Sequence, residues 1–180
     1  TFWGFDEPGI FAKLCGVVRA SGLNVLGARI TTRKDGRILD VFYVNKLGQS
    51  VKEGEEVWEK LKDNLNQVLT GKTDVENLVA RRRQERSLYS KTIPQYPTRI
   101  MIDNESSDAA TVIDVITYDR AGLLYDITKT IKNLGLSIEY AKISTKVDHV
   151  VDAFYVVDMN RKKITDPDKI EEIKTALLES

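Results

Sequence analysis

What most constrains the folding of this chain is that one sequence pattern occurs in it twice. Phe5-Asp6-Glu7-Pro8-Gly9-Ile10-Phe11 aligns with Tyr118-Asp119-Arg120-Ala121-Gly122-Leu123-Leu124 at an offset of 113. The register holds downstream, where Ser21-Gly22-Leu23-Asn24-Val25 falls on Leu134-Gly135-Leu136-Ser137-Ile138 and Ala28-Arg29-Ile30-Thr31-Thr32 on Ala141-Lys142-Ile143-Ser144-Thr145. With one residue dropped in a turn, Asp40-Val41-Phe42-Tyr43-Val44 meets Asp152-Ala153-Phe154-Tyr155-Val156, and Trp58, Leu61 and Leu65 meet Ile170, Ile173 and Leu177. A repeat of this length predicts two modules of one fold.

Each copy reads as strand, helix, strand, strand, helix. Ile10, Leu14, Val17 and Val18 follow the spacing of one apolar helical face, as do Leu123, Ile127, Ile131 and Leu134, while Lys13 and Arg19 point away. Gly22 and Gly135 stand where a helix ends in a left-handed residue, and β-branched residues resume at once. Ala28 and Ile30, with Ala141 and Ile143, alternate as an inward face; Lys34 to Arg37 and Asp148-His149 read as turns into the next strand. The expected class is α+β, with two ferredoxin-like βαββαβ modules, each an antiparallel sheet covered on one face by two helices.

The expected boundaries are module 1 over 1–72, a linker over 73–97 and module 2 over 98–180. The linker is polar, carries Arg81-Arg82-Arg83, has one short helix near Val75 to Arg83, and closes on Pro94 and Pro97. Two strand-like runs, 99–103 and 111–117, flank Asn104 to Asp108 and predict a hairpin. Two placements of its first strand are open: it completes the first sheet in sequence order, or it pairs beside 111–117 and makes module 2 a circular permutant. Residue 1 is Thr and the strand begins at once, as expected of a fragment of a longer gene product.

Composition narrows function. Lys plus Arg and Asp plus Glu are each 27, so no net basic field holds a nucleic acid. Cys15 is the only cysteine, which excludes an internal disulfide and points to a reducing, cytoplasmic setting. No run reaches the roughly 18 apolar residues of a membrane span. His149 is the only histidine; with one Cys and one His there is neither a zinc cluster nor a catalytic triad, and no catalytic or metal residue is expected. Trp3 and Trp58 are expected in or near the core, and Asp40 and Asp152 are read as structural, at a sheet edge.

The turns FDEPGIF and YDRAGLL, each followed by GLN or GLS and later by DVFYV or DAFYV, resemble the strand-to-helix turn of ACT domains. The tandem with its Asp-Asn-Glu hairpin is similar to the C-terminal segment of bacterial PII uridylyltransferase/uridylyl-removing enzymes. The resemblance implies a βαββαβ fold and binding of a free amino acid, glutamine in those enzymes. It also implies control of upstream nucleotidyltransferase and hydrolase domains that use magnesium and act on the PII signal protein. This chain itself would be non-catalytic and hold no cofactor.

Residue chemistry at the turn is compatible with that implication but does not name the ligand. The first N–H groups of a helix lack internal partners, so Gly9-Ile10 and Gly122-Leu123 can receive a carboxylate. Asp6 and Asp119 can accept from an α-ammonium group; Asn24 can pair with an amide, and Ser137 takes its place in copy two. The alternative is that Asp6 and Asp119 cap their helices and the glycines only turn the chain. Departures from the family pattern, Glu7 for Arg and Ala121 for Pro, leave open which copy binds. Rival classes are a stand-alone ACT regulator of transcription or biosynthesis and a ferredoxin-like RNA-binding module using Tyr43 and Tyr155.

Overall fold

The computed structural model describes residues 1–7, 9–33, 35–46, 48–86, 97–118, 120, 122–144 and 149–180, the side chains of 83–86 and 149 excepted. Copy one supplies β1 (Phe2–Phe5), α1 (Ile10–Ala20), β2 (Asn24–Arg29), β3 (Arg37–Asn45) and α2 (Glu56–Leu69). After α3 (Val75–Arg86), copy two supplies β4 (Arg99–Asp103), β5 (Thr111–Tyr118), α4 (Leu123–Asn133), β6 (Ser137–Lys142), β7 (His149–Val157) and α5 (Pro167–Leu178). The described strands form one antiparallel seven-stranded sheet in the order β1-β3-β2-β6-β7-β5-β4.

The duplication governs detail as well as order. Gly22 (φ 90°) and Gly135 (φ 75°) end α1 and α4 in the left-handed region that glycine enters without a Cβ penalty. In each copy the next residue closes the cap, Leu23 N donating to Val18 O and Leu136 N to Ile131 O, both at 3.2 Å. A bulge falls between Val25 and Gly27 in β2 and at the same place, between Ile138 and Tyr140, in β6. Beyond the bulge Ala28 and, just past the end of β2, Ile30 are buried in the main core. The copies join where Arg29 pairs with Lys142, its own repeat equivalent, and α1 packs on α4 above that junction.

Of the two placements open for its first strand, the hairpin is the one found: Arg99 to Asp103 pair with Ile116 to Val112, and among the described strands β4 pairs with β5 alone. The repeat shows why: β5 continues into α4 as β1 continues into α1, so β4 flanks the strand that leads into the first helix of copy two. The main core runs through both copies, with Phe154, Ile113, Ile131, Ala141 and Ile173 each 0% exposed. Burying each of these isoleucine and phenylalanine side chains contributes about 1.5–3 kcal/mol, and the Ala141 methyl less. Val75, Leu78 and Val79 draw α3 onto α1 and into the same core.

Four expectations fail. Arg19, expected to point away from the core, is 8% exposed, because the copy-two turn at Gly122 lies against it. Trp3 is 63% exposed on the uncovered face of β1, where the Arg37 guanidinium lies 5.6 Å from its ring, because in a strand starting at Phe2 the inward position belongs to Phe2. Trp58 does pack against the core cluster of Val18, Leu23 and Val57. Asp40 and Asp152 are 1% exposed and point inward from central strands, so neither is at an edge. His149 opens β7 opposite Tyr118 instead of standing in a turn; Asp148 lies outside the described residues.

Candidate functional site

The two glycine turns adopt one geometry. Gly9 (φ 78°) and Gly122 (φ 92°) are the N-caps of α1 and α4, and neither helix receives a side-chain capping bond. Asp6 therefore does not cap α1, and the first-turn N–H groups beyond Ile10 have no side-chain partner there. Ile10 N donates to Glu7 O and Leu123 N to Arg120 O, both at 3.0 Å. Beside each turn stands an ion pair of opposite polarity: Glu7 with Lys13 in copy one, Arg120 with Asp126 in copy two, both at 2.5 Å. The negative charge that Glu7 brings to the turn is thus offset by Lys13.

Across the module junction each turn faces the other copy. A Cβ placed on Gly9 would lie 2.5 Å from Lys132 Cδ, and one placed on Gly122 would lie 2.8 Å from Arg19 Nε. Lys132 is the repeat equivalent of Arg19, so each copy sends the basic residue of its first helix's last turn over the other copy's glycine. A pocket of about 30 Å³ lies against the first turn, walled by Asp6, Glu7, Gly9 and Ile10 from copy one and by Thr128, Lys132 and Ser137 from copy two. That volume holds a water or two. A larger guest needs Lys132, which is exposed, to swing aside.

The sequence grouping of the site is therefore redrawn. Asp6, Gly9 and Ile10 come together with Ser137, not with Asn24, which opens β2 opposite Asn45 and is absent from this pocket. Gly122 and Leu123 hold the equivalent turn in copy two; Asp119 lies outside the described residues. Arg161, at φ 59° in the turn after β7, reaches both Asp6 (3.9 Å) and Glu139 (3.8 Å). Burial pushes the Asp6 carboxyl up from its ordinary range, Arg161 pulls it back and Glu7 adds to the rise. Lys132, Arg19, Thr128 and Arg161 were missed from sequence, although the basic residue shared by both copies at one helical position was a readable signal.

Between the two helices lies a second polar group. Cys15 and Thr128, repeat equivalents, meet at the junction, and burial pushes the thiol well up, so it is not a nucleophile. Asp40 Oδ1 accepts from Thr31 N (3.4 Å) and Asp152 Oδ1 from Ser144 N (3.1 Å), one tie per copy. Asp40 Oδ2 is buried without a partner among the described residues. Burial pushes this carboxyl up to about 6, against the pull of the Thr31 N–H and with the help of Asp6. Among the described residues no His, Cys, Asp and Glu cluster could hold a metal, and no helix is long and apolar enough to cross a membrane.

Residues 99–180 match a family model described as ACR9-like, ACT-like domain. The chain is 38% identical over 96% of its length to the bifunctional uridylyltransferase/uridylyl-removing enzyme of Rhodospirillum rubrum, and 36% identical over 99% of its length to that of Azospirillum brasilense. A third relative so named, from Cereibacter sphaeroides, is 37% identical over 96% of the chain. The chain spans only 18–19% of the length of these relatives. No solved structure gives a significant match. Over residues 99–180 the chain thus resembles an ACT-like domain, and along nearly its whole length it is similar to a part of the bifunctional uridylyltransferase/uridylyl-removing enzymes.

Proposed function

We propose that this chain is the amino-acid sensor of a bifunctional uridylyltransferase/uridylyl-removing enzyme, and that free glutamine is its ligand. The two copies act as ferredoxin-like ACT modules with boundaries at 1–72 and 98–180, the second circularly permuted by its β4-β5 hairpin. The observation that carries this reading is the pocket at the uncapped Gly9 turn, whose walls come from both modules. Such a site binds only when the modules keep their relation, so occupancy can be transmitted as a change in that relation.

Three features of glutamine find partners. The carboxylate meets the first-turn N–H groups of α1 and the Lys132 ammonium; the α-ammonium meets Asp6, displacing Arg161; the side-chain amide reaches Ser137. The repeat relation puts a second site at Gly122 and Leu123, completed by Arg19 and Asn24 from copy one and by Asp119. Signal passes to upstream catalytic domains, which use magnesium to attach UMP to the PII protein or hydrolyse it off; the chain itself catalyses nothing. It acts in the cytoplasm, and neither nucleic acid nor membrane is a partner.

Titration calorimetry of the chain against the twenty amino acids tests this. Glutamine should give a saturable heat and glutamate a smaller one; no heat from any amino acid contradicts the sensor reading. The uncovered sheet face favours a second reading, because Trp3, Phe5 and Tyr43 stand 63%, 69% and 64% exposed on it, and exposed strand aromatics can stack bases. Filter binding of single-stranded RNA in place of amino acids would establish that alternative.

A further inference from the structure

The arginine run that marks the linker in sequence takes a definite place in the fold. On α3, Leu78, Arg81 and Arg82 are spaced i, i+3 and i+4 and so share one face; on α2, Lys60 and Asn64 are spaced i, i+4. Both helices pack on α1. At its last residue, Ala20, the two faces wall a cleft of about 180 Å³, six times the volume of the pocket at Gly9. Ala20 and Leu78 are its buried apolar walls.

The polar walls are fixed and positive. Asn64, 8% exposed, donates from Nδ2 to Ser21 Oγ (3.0 Å), which donates in turn to Val17 O (2.8 Å), so its amide is tied to the end of α1. Lys60, Arg81 and Arg82 all line the space, and among the described lining residues there is no carboxylate. Lys60 and Arg81 are exposed and in no ion pair among the described residues; Glu59, next to Lys60, is paired with Lys62 at 2.8 Å. Arg82 is half-buried, and its Nη2 lies 2.9 Å from where a Cβ on Gly22 would stand, over the cap of α1. The carbonyls of Val17, Val18 and Arg19, which would oppose an anion there, already accept from the N–H groups of Ser21, Leu23 and Gly22. In a chain of zero formal net charge, three like charges gathered at one cleft repel one another, and an anion between them relieves that repulsion.

We propose that this cleft binds the diphosphate group of a small molecule. A guanidinium fork takes phosphate oxygens two at a time, and the Lys60 ammonium supplies a point charge from the opposite helix. No aromatic side chain is among the described lining residues, so nothing there stacks a base, and the diphosphate is held whether it is free pyrophosphate or the tail of a nucleotide. A nucleic-acid strand is a poorer fit, because it needs a positive groove that follows its backbone and aromatic platforms along it. α3 connects the two copies, so a bound diphosphate ties the connecting helix to α2 of copy one. This site is separate from the Gly9 pocket and its assignment is independent of amino-acid sensing.

Amide chemical shifts of the isotopically labelled protein, followed as sodium pyrophosphate is added, test the proposal. The shifts should saturate, centre on Ala20, Asn64 and Arg82, and leave Gly9 unmoved. ADP should bind within about threefold of pyrophosphate, and orthophosphate about tenfold more weakly for want of the second phosphate's charge-assisted bonds. Lys60→Gln and Arg81→Gln, both at exposed positions, should keep the thermal midpoint and each weaken pyrophosphate binding about tenfold. The absence of saturable shifts overturns the proposal, as does ADP binding without pyrophosphate binding, or an affinity unchanged when both substitutions are made together. Single-stranded RNA that binds more tightly than pyrophosphate and is weakened by the same substitutions would assign the cleft to a nucleic acid, and overturns it as well.

Discussion

Substituting the left-handed glycines separates backbone cost from contact across the junction. Alanine at a positive φ costs about 1 kcal/mol wherever it is placed. At Gly135 (φ 75°) a Cβ meets nothing within 4 Å, so Gly135→Ala should cost that amount and no more. At Gly122 the Cβ lands 2.8 Å from Nε of Arg19, a side chain 8% exposed and held between the modules. Overpacking there adds about 1–3 kcal/mol, giving about 2–4 kcal/mol in total. Gly9 is intermediate: the clash with Lys132 is closer, at 2.5 Å, but the exposed lysine can move, so the total stays at about 1–2 kcal/mol. Urea unfolding of the three variants at one pH measures the order directly. Equal losses for Gly122→Ala and Gly135→Ala would refute the view that Arg19 fills the space the glycine leaves.

Two further predictions follow from buried polar groups. Asp40, raised to about 6 in the folded protein, binds its proton more tightly folded than unfolded, so its contribution is present at acid pH and is lost as pH rises from about 4 to 6. Asp40→Asn should therefore be more stable than wild type at pH 7 by about 1–3 kcal/mol, the gap closing toward pH 4; parallel pH–stability curves for the two proteins would contradict this. Thr111, fully buried, donates to Asn104 Oδ1 (2.6 Å) and accepts from Ile164 N (2.8 Å), tying the β4-β5 turn to the segment before α5. Thr111→Val should cost about 1–3 kcal/mol for each partner left buried, and a thermal midpoint shift within error would remove that tie from the account.

Much of the fold was legible because periodicity and repeat register report burial, which is a property of residue type. The helices α1 and α4, their glycine ends, the inward Phe42 and Phe154, and the β4-β5 hairpin all follow from that. Side-chain direction at a strand's first residues was not legible: a shift of one residue carried Trp3 from core to surface. The site was half legible. Asp6, Gly9 and Ile10 share a turn and so are local in sequence, whereas Ser137 and Lys132 reach them only because β2 pairs with β6 and joins the two copies in one sheet, a pairing that no single-copy pattern encodes.

The central claim is that one amino acid is held by residues of both modules at once. Adding glutamine to the isotopically labelled protein and following amide chemical shifts tests it most directly. The account predicts saturable shifts that appear together at Gly9, Phe11 and Ser137, and that weaken in parallel in Ser137→Ala. Shifts confined to one module, or an unchanged spectrum at saturating glutamine, would contradict it.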